Sequence, residues 1–248
     1  TVLSRGLGDV YKRQVQEGFY LVAILSLLLI AVGPLGQVML TTNLSGRLGS
    51  ALVEYLPDTQ LILLLGAMIV SLILGMGLPT PVAYIIVALA LVPFMQQIGI
   101  PPLQAHFFVF YFAVFSTLTP PVAVSVLAAA KLGEATFLST AKDAMKIALT
   151  TFIIPFAFVF SPELMLFPNV TWGTMLAVVE VVFVQLAVSV ASYGFLIRSL
   201  NGFERGVYAF VALSGFLGFT YDANFWYVAV ALFMTCLLYT SPSPRDKT

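Results

Sequence analysis

Hydrophobic residues make up 60% of this 248-residue chain and charged residues only 9%, with 11 basic residues balancing 11 acidic ones. A typical soluble domain is roughly 45–50% apolar and about 25% charged, and so few charges cannot cover the surface of a soluble fold. The composition therefore excludes a cytosolic enzyme, a nucleic-acid-binding protein and a disordered segment. At about 20 apolar residues per crossing, the chain has room for roughly six or seven membrane segments, which predicts an all-α polytopic membrane protein.

The two ends of the chain resemble translated sequencing-library adapters. Residues 4–14 read SRGLGDVYKRQ and residues 236–246 read CLLYTSPSPRD. One back-translation of the first string, read on the opposite strand and one base out of frame, yields the second. We therefore expect residues 1–14 and 236–248 to be artefact and exclude them from reasoning about the fold. The alternative is a polar tail at each end, which requires that an intact gene encode these residues.

Excluding both ends changes the charge balance. Residues 15–235 hold six Lys or Arg against nine Asp or Glu, so the net charge falls from zero to −3. The only cysteine, Cys236, is excluded as well. Disulfide, zinc-finger and thiol-nucleophile interpretations are lost with it.

The first predicted crossing covers residues 19–36, which are nearly free of charge and just long enough to span a bilayer. Residues 38–56 mix polar side chains with leucines, a pattern that predicts an amphipathic or interfacial helix. Pro57-Asp58 is expected to end that helix.

Two short apolar runs follow, on either side of a break rich in Gly and Pro. Residues 60–74 lead into the sequence GMGLPTP at residues 75–81, and residues 82–95 are apolar again. A run of about 15 residues forms roughly 22 Å of helix, less than the ~30 Å hydrocarbon core. We expect a re-entrant hairpin over about residues 60–97. One long kinked crossing is the alternative, because proline is tolerated inside membrane helices.

A second break interrupts the next apolar segment, residues 103–131. The sequence STLTPP occupies residues 116–121, and its two prolines lack the N–H that a helix interior needs. This pattern predicts a single crossing that unwinds at mid-depth. Unwound backbone inside a bilayer is tolerated only where it is buried in protein or lines a cavity.

Further crossings are predicted downstream. Residues 133–146 are expected to form a surface helix, and residues 147–160 to complete a crossing with it. Residues 172–197 and 207–221 are also predicted to cross, and Phe225 begins a last crossing.

Basic residues set the expected orientation. Two loops separated by two crossings carry most of them and are placed in the cytoplasm; these residues are Lys131, Lys142, Lys146, Arg198 and Arg205. The loops near Glu163 and Asp222 and the turn at Pro101 are then outside, so the hairpin enters from the outer face. Arg47 would also lie outside, against the rule.

Two interrupted apolar segments in tandem predict the binding site of a secondary transporter. Unwound carbonyls can coordinate a hard cation such as Na⁺, and a half-helix N-terminus presents N–H groups and partial positive charge to an anion. Neither break contains Lys or Arg, so a carboxylate substrate would be held by dipoles, hydroxyl groups and co-bound cations. The predicted ion- and substrate-binding residues are Gly75, Met76, Gly77, Leu78, Pro79, Thr80, Ser116, Thr117, Thr119, Pro120 and Pro121. Helix packing is the competing interpretation, since Gly, Ser and Thr also serve helix–helix contacts.

Other candidate residues give weaker evidence of function. His106 is the only histidine and there is no cysteine beside it, so a packing or interfacial position is favoured over metal ligation. Glu180 is the one clearly intramembrane carboxylate, which makes it a functional candidate, although helix packing or a protonated role is equally open. The aromatic stretch at residues 107–115 is expected to pack or to face lipid. The sequence contains no nucleotide-binding fingerprint, HExxH or GxSxG motif, so neither an ATPase nor an enzyme with catalytic residues is expected.

Residues 72–132 (LILGMGLPTPVAYIIVALALVPFMQQIGIPPLQAHFFVFYFAVFSTLTPPVAVSVLAAAKL) resemble the large, DctM-like membrane subunit of TRAP (tripartite ATP-independent periplasmic) transporters. GMGLPT, AHFFVFYF and TPPVA are the most specific motifs. The resemblance is strong over about residues 40–160. It is looser over residues 172–235, which are similar to the C-terminal membrane extension of TAXI-type permeases with fused membrane subunits.

This resemblance implies an elevator-type carrier built from inverted repeats with re-entrant hairpins and driven by a Na⁺ gradient. Residues 15–160 would be the C-terminal half of its transport domain, and residues 161–235 its C-terminal transmembrane extension. The implied substrates are carboxylates or other organic acids, imported across a bacterial inner membrane. Residues 75–80 and 116–121 would be the second half's contribution to the ion and substrate sites.

The same resemblance sets the expected partners. These are a periplasmic solute-binding protein, a small membrane subunit fused upstream in the intact protein, and the lipid bilayer, with no nucleic acid. No cofactor is expected, Na⁺ being the coupling ion. The first inverted repeat is missing from the chain, so the chain alone is not expected to transport.

Three alternatives remain open at the level of sequence. Within transport, the chain could be half of another inverted-repeat anion:sodium symporter of the dicarboxylate or citrate type. Outside transport, it could be a structural membrane subunit or a membrane-embedded enzyme. An enzyme needs an acid–base or nucleophile–base constellation at one depth, and the sequence contains none.

Overall fold

The computed structural model describes residues 2–57, 59–165, 170–196, 198–221, 225–226 and 228–233. The helices are α1 (Val2–Thr41), α2 (Leu44–Tyr55), α3 (Gln60–Gly75), α4 (Thr80–Gln97), α5 (Pro102–Phe115), α6 (Val124–Leu132), α7 (Phe137–Thr151), α8 (Ile153–Phe160), α9 (Trp172–Tyr193) and α10 (Gly202–Thr220), with a 3-10 turn at Pro162–Met165. Residues 225–226 and 228–233 are helical too. Asp58, Ile197, Asp222 and Cys236, with the rest of residues 236–248, lie outside the described residues.

The described part of the chain is all-α, as the composition predicts. Three stretches of it are long and apolar enough to cross a bilayer: Thr80–Gln97, Phe137–Phe160 and Trp172–Tyr193. Gln60–Gly75 and Pro102–Phe115 are apolar but shorter, with 16 and 14 residues. An all-α polytopic membrane protein is therefore confirmed.

The first helix ends later than the sequence predicts. α1 continues through Pro34 to Thr41. The prediction that a new helix begins at residue 38 is therefore wrong. The chain leaves the helical conformation at Asn43, whose φ of 49° lies in the left-handed region that asparagine tolerates. α2 then ends at Tyr55, where the sequence places the end of its interfacial helix.

Contacts with α2 show that α3 and α4 form a hairpin. A Cβ placed on Gly66 of α3 would lie 2.8 Å from Leu52 of α2 and 2.6 Å from Leu56, the residue that follows α2. A Cβ placed on Gly49, one turn earlier in α2, would lie 2.8 Å from the ring of Phe94 near the end of α4. The first half of α3 and the last turn of α4 therefore lie side by side. One long kinked helix would hold them far apart, so α3 and α4 fold back on each other. That this pair of helices is re-entrant in a membrane stays a prediction.

The second arm of the hairpin is longer than predicted. α4 begins at Thr80, directly after Pro79, and continues to Gln97, which makes 18 residues rather than the apolar run of residues 82–95. By length and composition it is able to cross a bilayer. The prediction that both arms fall short is therefore wrong for α4.

The second break is present where the sequence predicts it. α5 ends at Phe115 and α6 begins at Val124, so residues 116–123 separate two helices. α5 packs against α3, α4 and α8, whereas α6 packs against α7. The break therefore lies where the chain passes from one group of helices to the other.

The predicted surface helix at residues 133–146 is wrong in both of its limits. Residues 133–136 form a loop, and α7 begins at Phe137, capped by Thr136, whose hydroxyl oxygen accepts the N–H of Ser139 at 3.4 Å. α7 continues to Thr151, so the interruption falls at Phe152. Tyr111 of α5 donates its hydroxyl to the Thr151 carbonyl at 3.1 Å, which gives that carbonyl a partner at the interruption.

Local capping shifts the ends of the last two helices. α9 ends at Tyr193 because Gly194 takes a left-handed φ of 67°, so the predicted continuation to residue 197 is wrong. α10 begins at Gly202 instead of residue 207. The Glu204 carboxylate accepts the N–H of Asn201 at 2.8 Å, half of a capping box. The Asn-x-x-Glu spacing was readable in the sequence and predicts this start.

Two arginines fasten the loop between α9 and α10. Arg198 makes a bidentate pair with Glu204, at 2.6 and 3.3 Å. Arg205 donates to the carbonyls of Ala191 and Ser192 at 3.0 and 3.1 Å. These carbonyls belong to the last turn of α9. Carbonyl groups in a helix's last turn have no hydrogen-bond partners within the helix. A cation there also complements the negative end of the helix dipole.

The main core is aromatic and joins α5 to α8. Phe112 is completely buried, and its ring lies 4.9 Å from that of Phe108, 5.5 Å from Phe152 and 6.0 Å from Phe156. Phe110, on the other face of α5, is 44% exposed. The aromatic stretch thus both packs and presents an outer face, in agreement with the sequence.

Phe112→Ala is expected to lower the free energy of unfolding by about 3–5 kcal/mol, because it leaves a cavity among three rings. The matched control is Phe110→Ala, which removes the same atoms from a partly exposed position and should cost much less. Denaturant titration of the two variants in detergent measures the difference. Equal losses would contradict this account of the core.

Glu204→Gln is expected to lower stability at neutral pH and to flatten its dependence on acid. The N–H of Asn201 and the guanidinium of Arg198 hold the pKa of the Glu204 carboxyl below its ordinary value. Its stabilising effect is therefore present above the unfolded pKa of about 4.3 and is lost as the pH falls through the lower folded pKa. Unfolding of wild type and variant should differ at neutral pH and converge in acid. A gap that stays constant with pH would argue against this role.

Candidate functional site

The two breaks predicted from the sequence lie against each other. Gly75 ends α3, Ser116 follows α5, and both residues are buried. A Cβ placed on Gly75 would fall on Ser116 Oγ and lie 2.9 Å from Ser116 Cβ. Only a residue without a side chain allows this approach. The tip of the hairpin is thereby placed directly on the unwound part of the second segment.

A second glycine extends the contact. Gly77 has a φ of 76°, a left-handed conformation that other residues rarely adopt. A Cβ built on it would lie 3.0 Å from Val122 Cγ1, in the second break. Gly77 therefore serves both the turn of the hairpin and the close approach of the two breaks.

The hydroxyl groups of the second break already donate to the backbone. Ser116 donates to the Ala113 carbonyl at 2.6 Å, Thr117 to Val114 at 2.9 Å, and Thr119 to Phe115 at 3.0 Å. A hydroxyl group has one proton to donate and two lone pairs that accept. The Thr117 oxygen also accepts the Ser125 hydroxyl at 3.2 Å. The lone pairs that remain on the three oxygens can accept a hydrogen bond or coordinate a cation. The three hydroxyl groups are not oriented to donate to a carboxylate.

The first break offers the opposite polarity. α4 begins at Thr80 with Pro79 as its N-cap residue, and the N–H of Ala83 is the first to bond back, to the Pro79 carbonyl at 2.9 Å. The N–H groups of a helix's first turn have no partners within the helix. The positive end of the α4 dipole is therefore directed at the break, where it can attract an anion.

Burial differs among the predicted site residues. Gly75 and Ser116 are buried; Met76, Leu78, Thr80, Thr117 and Thr119 are half-buried; and Gly77, Pro79, Pro120 and Pro121 are exposed. The structure brings the two breaks together at Gly75 with Ser116 and at Gly77 with Val122. Sequence reasoning missed Val122, which follows the Pro-Pro pair without any polar group to mark it.

The two titratable candidates outside the breaks lie elsewhere. His106 is half-buried on α5, and its Nδ1 is 2.9 Å from the hydroxyl oxygen of Tyr84 on α4. This pair ties α5 to the hairpin, which agrees with a packing role. Glu180 is half-buried on α9, a helix that packs against α7, α8 and α10.

Paired interruptions that meet within a bundle of apolar helices are typical of polytopic membrane carriers. The family model described as "Tripartite ATP-independent periplasmic transporter, DctM component" matches residues 4–172, and the chain belongs to this family. It is therefore a membrane permease component of the TRAP type. No curated protein and no solved structure matches the chain.

The matched range includes both breaks. It begins within residues 1–14, whose origin as a translated adapter stays a prediction. It ends at the start of α9, so most of the predicted C-terminal extension lies beyond it.

Gly75→Ala is expected to destabilise the chain by about 1–3 kcal/mol, the usual cost of forcing an extra methyl into a packed site. Ser116→Gly, added to Gly75→Ala, removes the atoms that the new methyl meets and should restore most of the loss. The control is Gly33→Ala in α1, where nothing lies within 4 Å of the added Cβ. Unfolding in detergent measures all three. A Gly75→Ala chain as stable as the control would contradict the contact between the breaks.

Proposed function

We propose that the paired breaks form this chain's share of the ion and substrate sites of a Na⁺-coupled permease for carboxylates. The observation that carries the proposal is the direct approach of Gly75 to Ser116, which places both breaks at one point. A transporter site needs unwound backbone from two elements at the same depth. This one has it without any charged side chain in either break.

The second break is assigned to the cation. Ser116, Thr117 and Thr119 each spend their hydroxyl proton on a backbone carbonyl, so their oxygens present lone pairs. Hydroxyl and carbonyl oxygens are hard ligands suited to Na⁺. The assignment divides the roles of the two breaks more sharply than the residue types alone.

The first break is assigned to the anion. The amino end of α4 and the glycine-rich turn before it give a carboxylate access to backbone N–H groups. Neither break contains Lys or Arg, so the bound Na⁺ would supply the positive charge opposite the carboxylate. This coupling of the two sites makes anion binding depend on the cation.

The remaining parts of the proposal follow the family. The substrate is an organic acid delivered by a periplasmic solute-binding protein, and a small membrane subunit completes the permease in a bacterial inner membrane, as in TAXI-type permeases with fused subunits. Gly77, Pro79, Pro120 and Pro121 are exposed in this chain. We propose that the other inverted repeat of an elevator-type carrier packs over these four residues in the intact permease.

Replacing Thr119 by Val in the intact permease is expected to reduce Na⁺-dependent uptake at least tenfold, because Val keeps the shape and removes the oxygen. Thr119→Ser keeps the oxygen and is the matched control, with uptake close to wild type. Uptake of labelled organic acid, measured against Na⁺ concentration, tests the pair. Equal uptake by the Val and Ser variants, at equal amounts in the membrane, would exclude Thr119 from the cation site.

Gly77→Ala should also abolish Na⁺-dependent uptake, since it strains the hairpin tip and presses on Val122. Gly99→Ala separates strain from function. Gly99 has a similar positive φ of 87°, but nothing lies within 4 Å of its added Cβ. If both variants transport normally, or if both lose the same amount, the tip of the hairpin has no special role.

A further inference from the structure

A lateral cleft separates the helices that hold the breaks from the C-terminal helices. Its volume is about 440 Å³, and it lies between α3, the α7–α8 pair, α9 and α10. Of the side chains that line it in the described part of the chain, all are apolar except that of Ser192. The cleft is distinct from the breaks, none of whose residues line it.

Two helical stripes form the long walls of the cleft. On α7 and α8 the stripe is Leu149, Phe152, Ile153 and Phe156, and on α10 it is Ala209, Ala212, Leu213 and Phe216. Residues three and four apart lie on one helix face, so each wall is continuous. Seven residues of helix measure roughly 10 Å, which sets the length of the cleft.

One end of the cleft is closed by two aromatic rings. At the closed end, the rings of Phe156 and Phe216 are in edge-to-face contact at 5.8 Å. The opposite end is formed by Leu149, Ala209 and Ser192. We take the Leu149 end, where the lining holds no aromatic ring, as the entrance for a ligand with a long apolar part.

Basic side chains continue both stripes beyond that end. Lys146 lies three residues before Leu149, and Arg205 lies four residues before Ala209. The Lys146 side chain is 58% exposed and has only a 3.9 Å approach to Asp143. Arg205 uses Nε and one terminal nitrogen to cap α9, and its Nη1 donates to no residue that the structure describes.

We propose that this cleft binds one acyl chain of an anionic phospholipid from the surrounding bilayer, with the headgroup phosphate between Lys146 and Arg205. The apolar walls suit the chain, and the cations at the entrance suit the phosphate. A helix is about 10–12 Å in diameter and would need a wider cavity over the same length. The lipid would act as a seal between the helices that carry the breaks and the C-terminal pair α9 and α10.

The test is lipid retention by the full chain. The chain is reconstituted in nanodiscs of phosphatidylethanolamine with or without phosphatidylglycerol, extracted into detergent, and examined by native mass spectrometry. We expect one retained phosphatidylglycerol per chain. Lys146→Gln should lower that retention about fivefold, the change that one basic residue contributes at an anionic membrane surface. Lys131→Gln removes a lysine from another helix and should leave retention unchanged.

A cleft-filling variant separates chain binding from headgroup binding. Ala209→Phe places a ring in the cleft and should abolish retention of phosphatidylglycerol, while thermal unfolding shows whether the variant is folded. Ala128→Phe, on the exposed face of α6, is its control. Equal retention of phosphatidylglycerol by wild type and Lys146→Gln would overturn the proposal. So would the absence of retained lipid on a folded wild-type chain. Cross-linking of the cleft to another protein segment would overturn it too.

Discussion

The absence of a side chain at Gly75 is the constraint on which the arrangement of the first half depends. A methyl group at that position would clash with the Ser116 side chain, which would have to shift. α2 packs against both arms of the hairpin. Gly49 of α2 lies against Phe94 of α4, and Gly66 of α3 lies against Leu52 of α2. On the other side α5 packs against both arms, so the two breaks meet at the edge of one core.

This contact also explains how unwound backbone is tolerated among apolar helices. In a bilayer every polar backbone group needs a partner. The carbonyls of Ala113, Val114 and Phe115, at the end of α5, receive the hydroxyl groups of the second break. The hydroxyl groups of the break therefore supply hydrogen-bond partners for the last carbonyls of α5. The oxygen lone pairs that remain are the feature on which the proposed cation site depends.

The C-terminal helices are attached by a different kind of interaction. Where the hairpin relies on glycines and close backbone approach, α9 and α10 are joined to each other by an arginine cap, and the pair packs against α7 and α8. Arg205 caps the end of α9, and Phe216 reaches Phe156 of the main core. Between these two points the packing is incomplete, and the cleft remains.

The sequence by itself determined the all-α membrane class, the positions of both breaks and the family, because composition, Gly and Pro act locally and leave a readable pattern. The start of α10 is likewise encoded locally, in the Asn201–Glu204 spacing. Tertiary structure alone decided that Gly75 meets Ser116 and that Val122 lies against the hairpin tip. It also selected the expected fold-back of α3 and α4 over the kinked crossing that the sequence left open. It likewise decided that α1 runs on to Thr41 and that α4 is long enough to cross. These outcomes depend on packing between residues far apart in the chain, and no local propensity encodes which surfaces will touch.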